Sequence, residues 1–262
     1  MKRNNDDNLV LNSYLNTVLF NNNNSKFINS VELIIRPECN QKCEYCYIYK
    51  HGDKLYPHNE RVDNKTILKN ITILCNYLLD KEIFLNTLEL FAGDLFYDNL
   101  FFDIIEIIYN YYNKLYQINS SLFYKDHNVI IVPCNFSFCE DQNKIKKFKE
   151  VFAKFQEINI RLFLSYSSDG LYASHVREKK TLSEEFIDNV FTLMYDCEFF
   201  NSSHPMISYE SIDYAIENYE WWKSQYLKYN EKYREQYREK YNRSLNADIL
   251  TPMLEVRNEG WT

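Results

Sequence analysis

Between Val31 and Val256 the sequence switches repeatedly between short apolar runs and longer segments whose apolar residues recur every three or four positions. The first pattern predicts strands and the second amphipathic helices. Apolar runs fall at Val31 to Ile35, Thr87 to Phe91, Asn128 to Pro133 and Ile160 to Ser165, then around Phe199 to Ile207 and near Met253 to Val256. Helix-spaced residues separate them, such as Ile67, Ile71, Cys75 and Leu78, or Phe148, Val151, Phe152 and Phe155. Strand then helix, repeated about six times, demands a parallel sheet with right-handed crossovers. Six repeats rather than eight predict an α/β fold of the partial (βα)6 TIM-like barrel kind, open along one side. The loops that leave the strands then gather at one end, where active sites of such sheets lie. Asn128 to Pro133 reads as a strand buried on both faces.

Residues 1–29 are expected to form an N-terminal helix, with Leu11, Tyr14, Leu15, Val18 and Leu19 inward, and an Asn-rich linker. Residues 30–262 are expected to form one partial-barrel domain. A chain of 262 residues with 45% hydrophobic content can fill a core of that size. It has only 4 glycines, so its left-handed turns are expected to fall on asparagine, the non-glycine residue that tolerates them best. A net charge of -7 disfavours binding to a phosphate backbone, so nucleic acid is not an expected partner. No run approaches the roughly 18 apolar residues of a membrane span. An odd number of cysteines and a polar start point to a reducing, cytoplasmic compartment.

Three of the cysteines, Cys39, Cys43 and Cys46, are spaced C-x3-C-x2-C directly after the first predicted strand. The spacing is wrong for a redox dithiol and one ligand short of a closed four-cysteine site. It suits three thiolates gripping three irons of a [4Fe–4S] cube while the fourth iron stays open. The alternative is a Cys3His zinc site closed by His51, which would staple a loop in a non-catalytic binding protein.

The C-x3-C-x2-C motif, with Tyr45 just before its last cysteine, resembles the radical S-adenosylmethionine (SAM) superfamily. The resemblance implies a [4Fe–4S] cluster on Cys39, Cys43 and Cys46, whose open iron chelates SAM. An external flavodoxin- or ferredoxin-like protein would supply the electron that cleaves SAM to a 5′-deoxyadenosyl radical. It also implies that the Tyr45 backbone meets the adenine edge. Ala92, Gly93 and Asp94 follow the second predicted strand where the family typically carries Gly-Gly-Glu-Pro, a turn that binds the SAM amino group. Here Ala92 replaces a glycine, Asp94 is one methylene shorter than glutamate, and Leu95 stands for proline. Taken without the family, this is an ordinary strand-exit turn.

Ser167 to Gly170, followed by His175 and Arg177, resembles a segment of the peptide- and protein-modifying branch, which includes sulfatase and ribosomal-peptide maturases. Ser167 would bind the ribose or carboxylate of SAM, and the planar fork of Arg177 suits the carboxylate. His175 sits one residue closer to the arginine than in that pattern. The implied substrate is a peptide or protein side chain, with RNA or a small metabolite as the alternative. Peptide-modifying relatives often continue into a cysteine-rich region holding auxiliary clusters, but no cysteine follows Cys197 here. The chain is therefore expected to be a fragment or to lack those clusters. Cys134 ends the third predicted strand and is either a hydrogen-atom donor or a buried apolar residue. The tyrosines from Tyr226 to Tyr241 and the pair Trp221 and Trp222 read as packing residues.

Overall fold

The computed structural model describes residues 27–43, 46, 48, 62–123, 128–172, 183–198, 203–204, 206–207, 212–241 and 255–256. The expected N-terminal helix lies outside them. The architecture is α/β. Strand β1 (Phe27–Arg36), helix α1 (Asn64–Asp80), β2 (Phe84–Ala92), α2 (Leu100–Ile118), β3 (Val129–Cys134), α3 (Gln142–Glu157), β4 (Arg161–Ser167), α4 (Glu184–Asp196) and β5 (Ser203–His204) follow in turn. The five strands pair in parallel, in chain order. Two further short strands, β6 (Met206–Ile207) and β7 (Glu255–Val256), pair in parallel with each other, separated in sequence by the long helix α5 (Ala215–Tyr241). Among the described residues, no helix is long and apolar enough to cross a membrane.

The helix boundaries follow local chemistry. The side chain of Asp63 accepts from the Thr66 amide at 2.7 Å, and Ser183 accepts from the Phe186 amide at 3.2 Å, as expected of N-caps. Helices α1 and α3 end without glycine. Glu82 (φ 51°) and Asn159 (φ 56°) take the left-handed position, and the next amides, of Ile83 and Ile160, reach back to the carbonyls of Leu78 and Phe155. Both are Schellman endings. Among the described residues, positive φ outside glycine falls on Glu82, Phe136, Asn159 and Glu198, so asparagine serves at only one of these turns. The reason lies in packing: Ile83 and Ile160 are buried beside Leu78 and Phe155, and that burial holds the turn whatever residue makes it.

The expectation of a strand buried on both faces does not hold for β3. Ile130, Val132 and Cys134 are buried, while Val129, Ile131 and Pro133 are only half-buried. The helices cover one side of the sheet. The less covered side carries Glu32 opposite Glu89, then Ile131 and Phe163 in the same row. Burial, and then the charge of Glu32, raise the Glu89 carboxyl above the usual range.

A register shift between Ile34 and Arg36 makes Ile35 an extra residue in β1, a β-bulge. Before it, the even-numbered Ser30, Glu32 and Ile34 are exposed; after it, the even-numbered Arg36 is buried, only 9% exposed. The bulge thus turns Arg36 toward the helices. There its guanidinium grips Asp98 as a fork, at 2.9 and 3.0 Å. Asn64 at the start of α1 and the Leu100 amide at the start of α2 donate to the same carboxylate, at 3.1 and 2.8 Å.

Burial alone would raise the Asp98 carboxyl, but these donors and the Arg36 charge hold it down at about 2. A carboxyl depressed on folding stabilises the chain above its unfolded pKa, and that stabilisation is lost as the pH falls through the folded value. For Asp98 the window runs from about pH 4 down to about 2. The side chain is 37% exposed, so solvent screening limits the gain to about 1 kcal/mol. Asp98→Asn is expected to lose that amount at pH 7 and only a small part of it at pH 2, where the folded carboxyl is half protonated. Urea denaturation of both proteins across this range measures the difference.

Candidate functional site

The cysteine segment leaves the carboxyl end of β1 and lies against the turn that leaves β2. The Gly93 amide donates to the Arg36 carbonyl at 2.9 Å, and the Asp94 amide donates to the Glu38 carbonyl at 2.8 Å. A Cβ on Gly93 would fall 2.2 Å from the Glu38 carbonyl oxygen and 2.3 Å from that of Pro37. Only glycine allows two backbones to pass this closely. Beyond it, Leu95 and Phe96 are buried, and the Phe96 ring stacks on Phe101 and Phe138, each at 4.1 Å. The turn is thereby pinned in the core just past Asp94.

Asp94 is wholly buried. Its Oδ1 accepts from the Phe96 amide at 2.8 Å, and Oδ2 is without a hydrogen-bond partner among the described residues. Burial pushes the carboxyl up to about 6, against the opposing pull of the Phe96 amide, the charges of Arg36 and Lys144, and the nearby Ser137 hydroxyl, which does not reach hydrogen-bond geometry with Oδ2. An acceptor left open in a buried turn is costly unless something donates to it.

Within the cysteine segment, the Cys39 sulfur accepts from the Gln41 amide at 3.4 Å and lies 3.8 Å from the Asn135 side-chain nitrogen. Cys43 is buried with its thiol toward the Gln41 side-chain oxygen at 3.7 Å. Cys46 is half-buried, and its amide closes a turn onto the Cys43 carbonyl at 3.0 Å. Desolvation at the sulfur, then the nearby Asp94, Cys43 and Cys46, push the Cys39 thiol up to about 11 despite the Gln41 amide. The three thiols and Asp94 thus form one electrostatic neighbourhood. Among the described residues, no group of three or more His, Cys, Asp or Glu side chains stands at metal-ligand spacing. Holding a cluster would therefore require the segment to draw in. In donor chemistry the site fits such a group, with three soft thiols on one short segment beside an open, buried carboxylate oxygen.

Ser167 ends β4 and pairs in register with His204 of β5. The following Ser168 and Asp169 are buried, and Gly170 is left-handed at φ 59°. A Cβ on Gly170 would meet Asn218 Oδ1 at 2.0 Å and Trp222 Nε1 at 2.8 Å, so this turn is seated on α5. Asn218 also accepts from the Leu171 amide at 2.9 Å. Tyr45, His51, His175 and Arg177 lie outside the described residues, as does the side chain of Ala92. Cys134 is buried at the end of β3, and Asp94 and Cys39 are close enough to raise its thiol further above the value that burial alone sets.

The packing role expected of α5 holds for Trp221, Trp222, Tyr226, Tyr229 and Tyr233, and the side chains of Tyr237 and Tyr241 lie outside the described residues. Trp222, Tyr226 and Tyr229 are buried, and Tyr229 stacks on Phe191 of α4 at 4.4 Å. Sequence reasoning missed Asn135, Arg36 and Asp98. Asn135 meets the cysteine segment across a separation of 96 residues, and nothing local marks it. Arg36 carried a usable signal: a charged residue inside an apolar strand needs a buried partner. No protein-family model and no curated protein matches the chain in sequence.

Proposed function

We propose that this chain is a radical SAM enzyme acting on a peptide or protein side chain, built on a partial (βα)6 barrel. The observation that carries the reading is the contact between the cysteine segment and the Gly93–Asp94 turn. Two strand-exit loops meet so tightly that a Cβ has no room, and three thiols on one of them share an electrostatic neighbourhood with the buried Asp94 carboxylate on the other. Held by Cys39, Cys43 and Cys46, a [4Fe–4S] cluster would supply the electron that splits SAM into methionine and a 5′-deoxyadenosyl radical, which would take hydrogen from the substrate.

The protein's share is binding, orientation and exclusion of water. Cys39, Cys43 and Cys46 hold iron. Asp94 Oδ2 offers an acceptor to the SAM ammonium, and a cation at that oxygen offsets the cost of burying the carboxylate. Gly93 lets the turn's backbone come close, and Ser167, with Arg177 and the Tyr45 backbone, binds the rest of SAM. The half-covered side of the sheet faces the substrate, and a flavodoxin- or ferredoxin-like donor delivers electrons.

Anaerobic reconstitution with iron and sulfide tests this. The expected result is a brown protein that cleaves SAM to 5′-deoxyadenosine under dithionite. Alanine at Cys39, Cys43 or Cys46 should each abolish both the colour and the cleavage. A colourless protein that retains one zinc would instead support a stapled binding protein. Hydrogen transfer from labelled peptide, RNA or metabolite candidates into deoxyadenosine separates the substrate classes.

A further inference from the structure

We infer that Asn135 is a positioning and tuning residue for the cluster, donating a side-chain N–H to the Cys39 sulfur and thereby raising the cluster's reduction potential. This rests on the cluster reading given above. The orientation of the amide follows from its own contacts. Asn135 Oδ1 accepts from the Ser137 amide at 2.9 Å, which leaves Nδ2 facing the cysteine segment. That nitrogen has two protons and two acceptors: Asn40 Oδ1 at 2.7 Å and Cys39 Sγ at 3.8 Å. Asn40 is fixed in turn, because its own amide nitrogen donates to Ser137 Oγ at 2.7 Å. One side chain from the end of β3 therefore ties both the first cysteine and its neighbour to the sheet.

The backbone supports this role at a cost. Phe136, next in the chain, is left-handed at φ 60°, a conformation that a bulky residue rarely takes. It is kept there by a wholly buried ring, 4.7 Å from Tyr166 and 5.8 Å from Phe138. The turn it makes brings Asn135 to 5% exposure beside the sulfur. Strain held in place by packing, at the residue next to the donor that reaches Cys39, is the pattern of a site rather than of a plain connection.

As a thiol, Cys39 points a weak donor at Asn40 Oδ1, 3.8 Å away. As a thiolate ligand it can only accept, and the donors in reach among the described residues are the Gln41 amide and Asn135. Adding one electron to a cluster raises negative charge on its sulfurs, and N–H donors to sulfur favour that state. Removing the Asn135 donor must therefore make reduction harder.

The test is a redox titration of the full chain, reconstituted anaerobically and followed by the paramagnetic signal of the reduced cluster. Asn135→Leu and Asn135→Ala, both neutral and without a donor, are expected to shift the midpoint to more negative potential while iron content stays at the wild-type level. Asn135→Asp, which adds a charge as well, is expected to shift it further. Thermal melts before reconstitution identify any variant that fails to fold, and the folded neutral variant then decides. A midpoint equal to wild type, or displaced to more positive potential, overturns the inference while leaving the cluster reading intact. A wild-type chain that takes up no iron overturns both.

Discussion

Gly93→Ala is expected to destabilise the protein by about 3 kcal/mol, the upper part of the range for overpacking, and to reduce iron uptake on reconstitution. The obstacle is space, since Gly93 does not lie in the left-handed region. The new methyl carbon would sit 2.2 and 2.3 Å from two backbone oxygens, and neither can swing aside as the end of a flexible side chain can. Relief requires the turn and the cysteine segment to part. Parting them breaks the bonds from Gly93 to Arg36 and from Asp94 to Glu38, each a bond of 2.9 Å or shorter. Buried backbone groups left open in this way add to the steric cost. Chemical denaturation gives the stability, and iron analysis gives the uptake. An alanine variant that unfolds with the wild-type midpoint and loads iron normally would show that the two loops do not meet as described.

Trp222→Ala should cost still more, about 4 kcal/mol, as befits truncation of a fully buried indole. Trp222 is wholly buried; its ring meets Tyr166 of β4 edge-on at 5.8 Å and lies within 6.2 Å of Phe191 and Tyr226. It also backs the turn at Gly170, so the variant removes the surface on which the segment after Ser167 rests. Trp222→Phe is the informative companion. The indole nitrogen is buried and without an acceptor among the described residues, so phenylalanine gives up volume but no hydrogen bond. Its cost should be about 1–2 kcal/mol. Equal losses in the two variants would mean that the nitrogen, not the ring, carries the effect.

The elements that sequence periodicity located were those whose apolar face repeats over several turns. The helices predicted from the Ile67 and Phe148 sets both appear, as α1 and α3. Short strands fared worse. Among the described residues, the run from Phe199 to Ile207 yields two pieces that join different sheets. At the site, the cysteines and the turn at Gly93 were legible because each is a compact motif. Asn135 and the Arg36–Asp98 pair were not, because each depends on segments brought together from 62 to 96 residues apart. Such meetings are properties of the sheet order and leave no local trace.

Side chains along a strand obey an even–odd count, and the extra residue at Ile35 is a single change of parity placed just before the cysteines. Deleting Ile35 alone would remove the change of parity without moving Arg36, which would follow Ile34 directly and still lie on the face opposite to it, beside Asp98. Deleting Ile34 as well would put Arg36 directly after Leu33, on the less covered side of the sheet and away from Asp98. The one-residue deletion should therefore be tolerated, and the two-residue deletion should behave like the loss of Arg36 itself.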